Sequence, residues 1–260
     1  MTNVEQILSF LDEIAPMTLK MEFDNVGLLV GDKSKPVSKC LVALDITDDV
    51  ITEAVEQGAQ LIVSHHPVIF GGVKSITVGD LVGRKIIAMI NSGISAICMH
   101  TNLDIARGGV NDALISALGA DAITYLEPAG VPNEGCGRIG EYESEIEFNN
   151  FLSLCKEKLG ANGLRYHYAG KAVKRIAVMG GSGGSGLMYA VNAGCDTYLT
   201  SDVKYNTFLD AKELGINLID ADHFCTENVI IPVLAQQLEH EFSDVNFNVS
   251  KAHCQTVQFY

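Results

Sequence analysis

The sequence predicts an α/β protein of two units with mixed, mostly parallel sheets. Three observations carry that expectation. Short apolar runs of strand character alternate with amphipathic stretches of helical period along most of the chain. Residues 127–137, EPAGVPNEGCG, gather two prolines and three glycines and mark a boundary between two α/β units. Hydrophobic residues make up 47% of the 260 positions, enough for a sizeable core.

In chain order, Val4, Ile7, Leu8, Leu11 and Ile14 recur at helical spacing, and Pro16 stops that helix. KCLVALDIT (39–47) reads as a strand. Thr47 is placed to cap the helix DDVITEAVEQG, with Asp48 and Asp49 at its positive end and Gly58 at its C-terminal end. LIVSHH is the next strand, VGDLVGRKIIAMINSG a helix, ISAICMHTNLD a strand, and GGVNDALISALG a helix stopped by Gly119. EYESEIEFNNFLSLCKEKLG opens as a charged strand and continues as a helix. KRIAVMGG, CDTYLTSD and INLIDADH are strands, with GLMYAVNAG and YNTFLDAKELG as the helices between them. A helix follows Glu227 through Leu238, with Pro232 either kinking it or marking a start later than Thr226. DVNFNVSKA and TVQFY are expected as terminal strands.

The formal net charge of -14 argues against non-specific binding to nucleic acid or anionic membranes, which needs clustered Lys and Arg. The acidic N-terminus lacks the basic start and apolar stretch of a signal peptide, and no run approaches the roughly 18 apolar residues of a membrane span. The seven cysteines are scattered without a CxxC, which points to reduced thiols in a cytoplasmic protein. Cys225, between His223 and Glu227, is the one with a chemical neighbourhood.

Ligands of open α/β sheets bind at the carboxyl ends of strands. Those ends carry His65 and His66; His100, Asn102 and Asp104; Asp202; and Asp220, Asp222 and His223, with Glu227 four residues beyond. Adjacent residues of a continuing strand point to opposite faces, so His65 and His66 can act together only if the strand ends before them, which Pro67 favours. His223 and Glu227 share one face if helical. Imidazoles with two or more carboxylates suit a divalent metal such as Zn, Mn, Fe or Ni, and five candidate ligands favour two ions over one closed site. Two ions about 3.5–4 Å apart can activate a water and stabilise both the attacking and the leaving oxygen.

SHHP, HTNLD, SDVKYN and DADHFCTE, in this order and preceded by EFDNVGLLVGD, resemble the Nif-three-like family of dinuclear-metal proteins, the GTP cyclohydrolase I type 2 homologues. The likeness runs from about residue 4 to the C-terminus and fits the short form without an inserted domain. It implies two interlinked α/β domains, residues 1–126 with 221–260 and residues 127–220, and a toroidal homohexamer built as a trimer of dimers. The implied metal ligands are His65, His66, Asp104, His223 and Glu227, with Asp104 bridging two divalent ions per chain. The chain departs from the family pattern at Ser201 and Asp222, where many relatives have Gly, and at Asn206, where many have His.

Two functions follow. One is a metal-dependent hydrolase of a nucleotide or phosphoester-like small molecule, with His100 or Asp202 moving protons and Lys204 neutralising a phosphate. The alternative is a non-enzymatic metal-handling or regulatory ring. A weaker third reading takes Gly181, Gly183 and Gly186 of VMGGSGGSG as a dinucleotide-binding turn with Asp202 as its acidic partner.

Overall fold

The computed structural model describes residues 1–131 and 134–260. The chain forms two compact units, one of Met1–Leu103 with Ile231–Cys254, the other of Asp104–Ile230 with Gln255–Tyr260.

The first unit is built on a five-stranded sheet in the order β1 (Gly27–Val30), β4 (Ser95–Cys98), β3 (Leu61–Ser64), β2 (Lys39–Ala43), β11 (Asn246–Val249). Three of its four pairings are parallel, and only β1 runs antiparallel, to β4. β3 and β4 are buried at every position, as strands covered on both faces should be. The helices are α1 (Val4–Ile14), α2 (Asp48–Gln57), α3 (Leu81–Asn91) and most of α10 (Ile230–Glu241). Local signals act as expected: the Thr47 side chain accepts the Val50 N–H, and Gly58 closes α2 at φ +66°. α3 starts later than its apolar pattern, because Asp80 caps Gly83 N–H and leaves residues 78–80 outside. Leu41, Val50, Ile62, Ile86 and Met89 pack into one core; full burial of each such side chain is worth about 1.5–3 kcal/mol.

Pro232 lies in the first turn of α10, where its missing N–H breaks no helical bond. Of the two expected outcomes, the late start is found. A separate short helix, α9 (His223–Glu227), precedes it.

The second unit carries a six-stranded sheet in the order β5 (Asp121–Pro128), β6 (Gly135–Ile146), β8 (Val173–Val178), β9 (Thr197–Thr200), β10 (Asn217–Asp220), β7 (Arg165–His167). β8, β9 and β10 are parallel neighbours; the other three pairings are antiparallel. α5 (Val110–Ala117), α6 (Phe148–Leu159), α7 (Leu187–Asn192) and α8 (Tyr205–Leu214) complete it. β5 was not legible as a strand, since Asp121–Thr124 at this sheet edge are exposed and carry no apolar run.

Of residues 127–137, expected at the unit boundary, Glu127 and Pro128 end β5 and Gly135–Gly137 begin β6 within the second unit, where Glu127 faces Cys136. Pro132 and Asn133 of that stretch lie outside the described residues. TVQFY is not a strand: the segment is tied by Asn162, whose N–H donates to Gln255 Oε1 and whose side-chain amide donates to the Val257 carbonyl. Its alternating pattern has no ladder to join.

Candidate metal centre

In the first unit β3 stops at Ser64, so the two histidines that follow it are no longer bound to opposite faces of a strand. The backbone stays attached at this point, with His65 N–H donating to the Ala43 carbonyl and His66 N–H to that of Leu44. Buried Ser64 then closes a tight turn, its hydroxyl donating to the His66 carbonyl at 2.8 Å. The result is two rings on one side, with centroids 5.0 Å apart. His100, just beyond β4, brings a third ring 5.2 Å from His65 and 5.6 Å from His66. One ring nitrogen from each of the three lies within 4.8 Å of the others.

Each ring is held by its Nδ1. His65 Nδ1–H donates to the buried Met99 carbonyl, His66 Nδ1–H to Asp45 Oδ1, and His100 Nδ1–H to Asp24 Oδ1, all at 2.8 Å. That fixes the tautomer and presents Nε2 as the ligating nitrogen. Asp24 is fully buried and also takes the Thr101 N–H and hydroxyl. Burial opposes its ionisation, but His100 and Thr101 outweigh that and hold the carboxyl below its ordinary range. Asp45 behaves alike: desolvation is the largest effect, and His253 with His66 overcomes it.

In the second unit α9 displays the expected i, i+4 pair, with His223 Nε2 3.0 Å from Glu227 Oε2. His223 Nδ1–H donates to Asp202 Oδ2 at 2.7 Å, the same orienting contact a third time from a carboxylate. Both acidic residues that flank the helix start have positive φ, Asp202 at 52° and Asp222 at 70°. Asp222 caps α9 by accepting the Cys225 N–H, and its φ of 70° is a conformation that glycine adopts without strain. Asp104 lies in α4 (Thr101–Ile105) and is partly buried, with its carbonyl taking the Asn111 amide.

Gly180 and Gly181 form the wall beside Glu227. A Cβ on Gly181, which sits at φ +63°, would lie 2.1 Å from Glu227 Oε1 and 3.3 Å from His223 Nε2. Gly183 and Gly186 are required by equally close approach of Thr200 and of the Tyr198 hydroxyl. The glycines of the supposed dinucleotide turn are thus each matched to the protein's own atoms.

Several sequence candidates have other work. Asp220 pairs with Arg165 and accepts the Val203 N–H, and Asn102 holds the Ala15 carbonyl. Cys225 packs into the core of the second unit, where burial and the charge of Asp222 push its thiol up to about 12, so it stays protonated. Lys204 is exposed at the start of α8. Asp24 and Asp45 were missed, although Asp45 stands at the carboxyl end of β2 and Asp24 inside EFDNVGLLVGD.

The donor set fits metal ions. Imidazoles fixed through Nδ1, beside carboxylates, are what divalent transition metals take. The chain is therefore an α/β protein carrying His and carboxylate groups able to hold a metal ion. It belongs to the Duf34/NIF3 (NGG1p interacting factor 3) family, whose model matches residues 2–257. A Clostridium perfringens relative, named GTP cyclohydrolase 1 type 2 homolog, is 41% identical over 254 residues, covering 96% of each chain. A crystal structure of a hypothetical protein of Staphylococcus aureus is similar with a TM-score of 0.93 at 30% identity, covering 99% of both chains. A Bacillus cereus protein related to NIF3 matches with a TM-score of 0.90 at 26% identity, covering 100% of this chain and 99% of that one. Among the described residues no helix is long and apolar enough to cross a membrane.

Proposed function

We propose that this protein is a metal-dependent hydrolase of a nucleotide or phosphoester-like small molecule. His65, His66, Asp104, His223 and Glu227 hold two divalent ions per chain in this reading. The observation that carries it is the Nδ1 anchoring of His65, His66 and His223 on a carbonyl, Asp45 and Asp202, because a ring fixed in that way is directed through Nε2. The bound ions would supply water activation and charge stabilisation at the reacting oxygens.

The chain's own residues do the rest. His100, backed by Asp24, carries a proton through Nε2. Asp202 orients His223 and shares its proton at Oδ2, and Lys204 neutralises a phosphate. The relatives' printed name supports a nucleotide substrate. The same reading has the protein work in the cytoplasm as a toroidal homohexamer, a trimer of dimers.

Elemental analysis of tag-free protein, followed by a hydrolase panel on the same sample, tests this. About two transition-metal ions per chain with turnover is the expected result. His65→Ala and Glu227→Ala should each lower metal content toward about half or less with the fold intact; normal stoichiometry in both sinks the ligand set. Two ions without turnover favours the metal-handling or regulatory ring, with the same ligands and no catalytic role for His100, Asp202 or Lys204.

A further inference from the structure

The end of the chain in the first unit is fastened with unusual thoroughness. After β11, the Ser250 hydroxyl donates to Glu53 Oε2 at 2.5 Å, Lys251 N–H to Oε1 at 3.0 Å and Ala252 N–H to Oε2 at 3.0 Å. Ala252 packs on the core of the unit. Those contacts set down His253 with its side chain only 4% exposed and its Nε2 3.5 Å from Asp45 Oδ2. The other oxygen of Asp45 holds His66 Nδ1. A carboxylate bonded through a single oxygen turns easily about its last torsion, which is broad and nearly two-fold. With the buried His253 ring 3.5 Å from its second oxygen, Asp45 has an ion-pair contact on each side, and turning it disturbs both.

We propose that residues 250–254 are a strap whose His253 locks the Asp45 carboxylate and through it the orientation of His66. The C-terminal segment thereby sets how tightly the His66 side of the centre holds its ion. His253 is a positioning residue, separated from the ion by Asp45 and His66, and the inference rests on the reading that His66 is a metal ligand. Nothing in the five-ligand motif points to it, because His253 lies in a segment of the chain with no metal-binding pattern of its own.

Zn²⁺ titration of the stripped full-length chain against a chelating indicator tests the strap. Asp45→Asn should weaken Zn²⁺ binding about 10–100-fold, as loss of an orienting carboxylate does. His253→Ala should weaken it less, about three- to tenfold, since water can reach half-exposed Asp45 and replace part of the contact. His253→Gln, which keeps an N–H donor, should recover most of that loss. The decisive comparison is the double variant: if His253 acts through Asp45, His253→Ala adds nothing in the Asp45→Asn background. Thermal unfolding of the metal-free proteins reports any purely structural cost separately from the Zn²⁺ comparison. Unchanged affinity in His253→Ala, or losses that add in the double variant, overturns the proposal. Wild type and His66→Ala that bind Zn²⁺ equally would instead remove His66 from the ligands, and the strap's role with it.

Discussion

The two units orient their imidazoles with the same contact in very different surroundings. In the first, His100 leans on Asp24, whose side chain is fully buried and shared with Thr101; in the second, His223 leans on Asp202, whose side chain is 54% exposed. One carboxylate is part of the packed interior, and the other is a surface group in a left-handed turn. A buried acceptor cannot be replaced by water, whereas an exposed one can. The same substitution should therefore cost stability in one unit and little in the other.

The largest effect is expected at Asp24. Asp24→Ala leaves the Thr101 N–H and hydroxyl and the His100 Nδ1–H without their acceptor in the interior, costing about 3 kcal/mol. Chemical denaturation would show this as a lower midpoint at unchanged slope. A loss below about 1 kcal/mol would mean that water or another group substitutes, and that the burial contrast is misleading.

Gly181→Ala comes next and separates backbone strain from site disruption. Gly181 and Gly58 share nearly the same positive φ, +63° and +66°, but a Cβ on Gly58 meets nothing within 4 Å. Each substitution should cost about 1–2 kcal/mol for a left-handed alanine. Only Gly181→Ala should also displace Glu227 and lower bound metal. Equal metal content in the two variants would show that the close wall beside Glu227 has no part in holding the ion.

Much of this was legible in the sequence, and the reasons for the rest are physical. Helix caps such as Thr47 and Gly58, and the end of β3 at the paired histidines, are local devices written in a few adjacent residues. The histidines and carboxylates that form groups able to hold a metal ion stood out because strand ends concentrate them. Asp24 and Asp45 escaped notice because a carboxylate that orients a histidine leaves no spacing pattern: Asp24 is 76 residues from His100 and Asp45 is 21 from His66. β5 and β7 escaped because an exposed edge strand lacks the apolar run that identified its parallel neighbours.

Asp202→Asn is the counterpart to Asp24→Ala, with a smaller effect. It removes a charge from an exposed pair, which should change stability by less than about 1 kcal/mol. The amide oxygen can still accept from His223 Nδ1, so the ring keeps its tautomer, but the lost charge should weaken metal binding about 10–100-fold, as at Asp45. An Asp202→Asn variant as unstable as Asp24→Ala would contradict the idea that exposure decides the cost.

The smallest effect sharpens the comparison within the first unit, between Asp24 in its interior and Glu53 on its surface. Glu53 is desolvated, which raises its pKa, but Ser250, Lys251 and Ala252 together pull it below the ordinary glutamate value. A carboxylate with a depressed folded value stabilises the protein fully above its unfolded value and ceases to as pH falls through the folded one. Native stability should therefore fall as the pH drops from roughly 5 to 3, and part of that slope should belong to Glu53. Glu53→Gln cannot titrate, so its stability curve over the same window should be flatter, starting from a lower plateau. The two curves should converge at acid pH, where the wild-type carboxyl is itself neutral. Parallel curves would mean that the three donors from residues 250–252 hold Glu53 no more tightly in the folded chain than water does in the unfolded one.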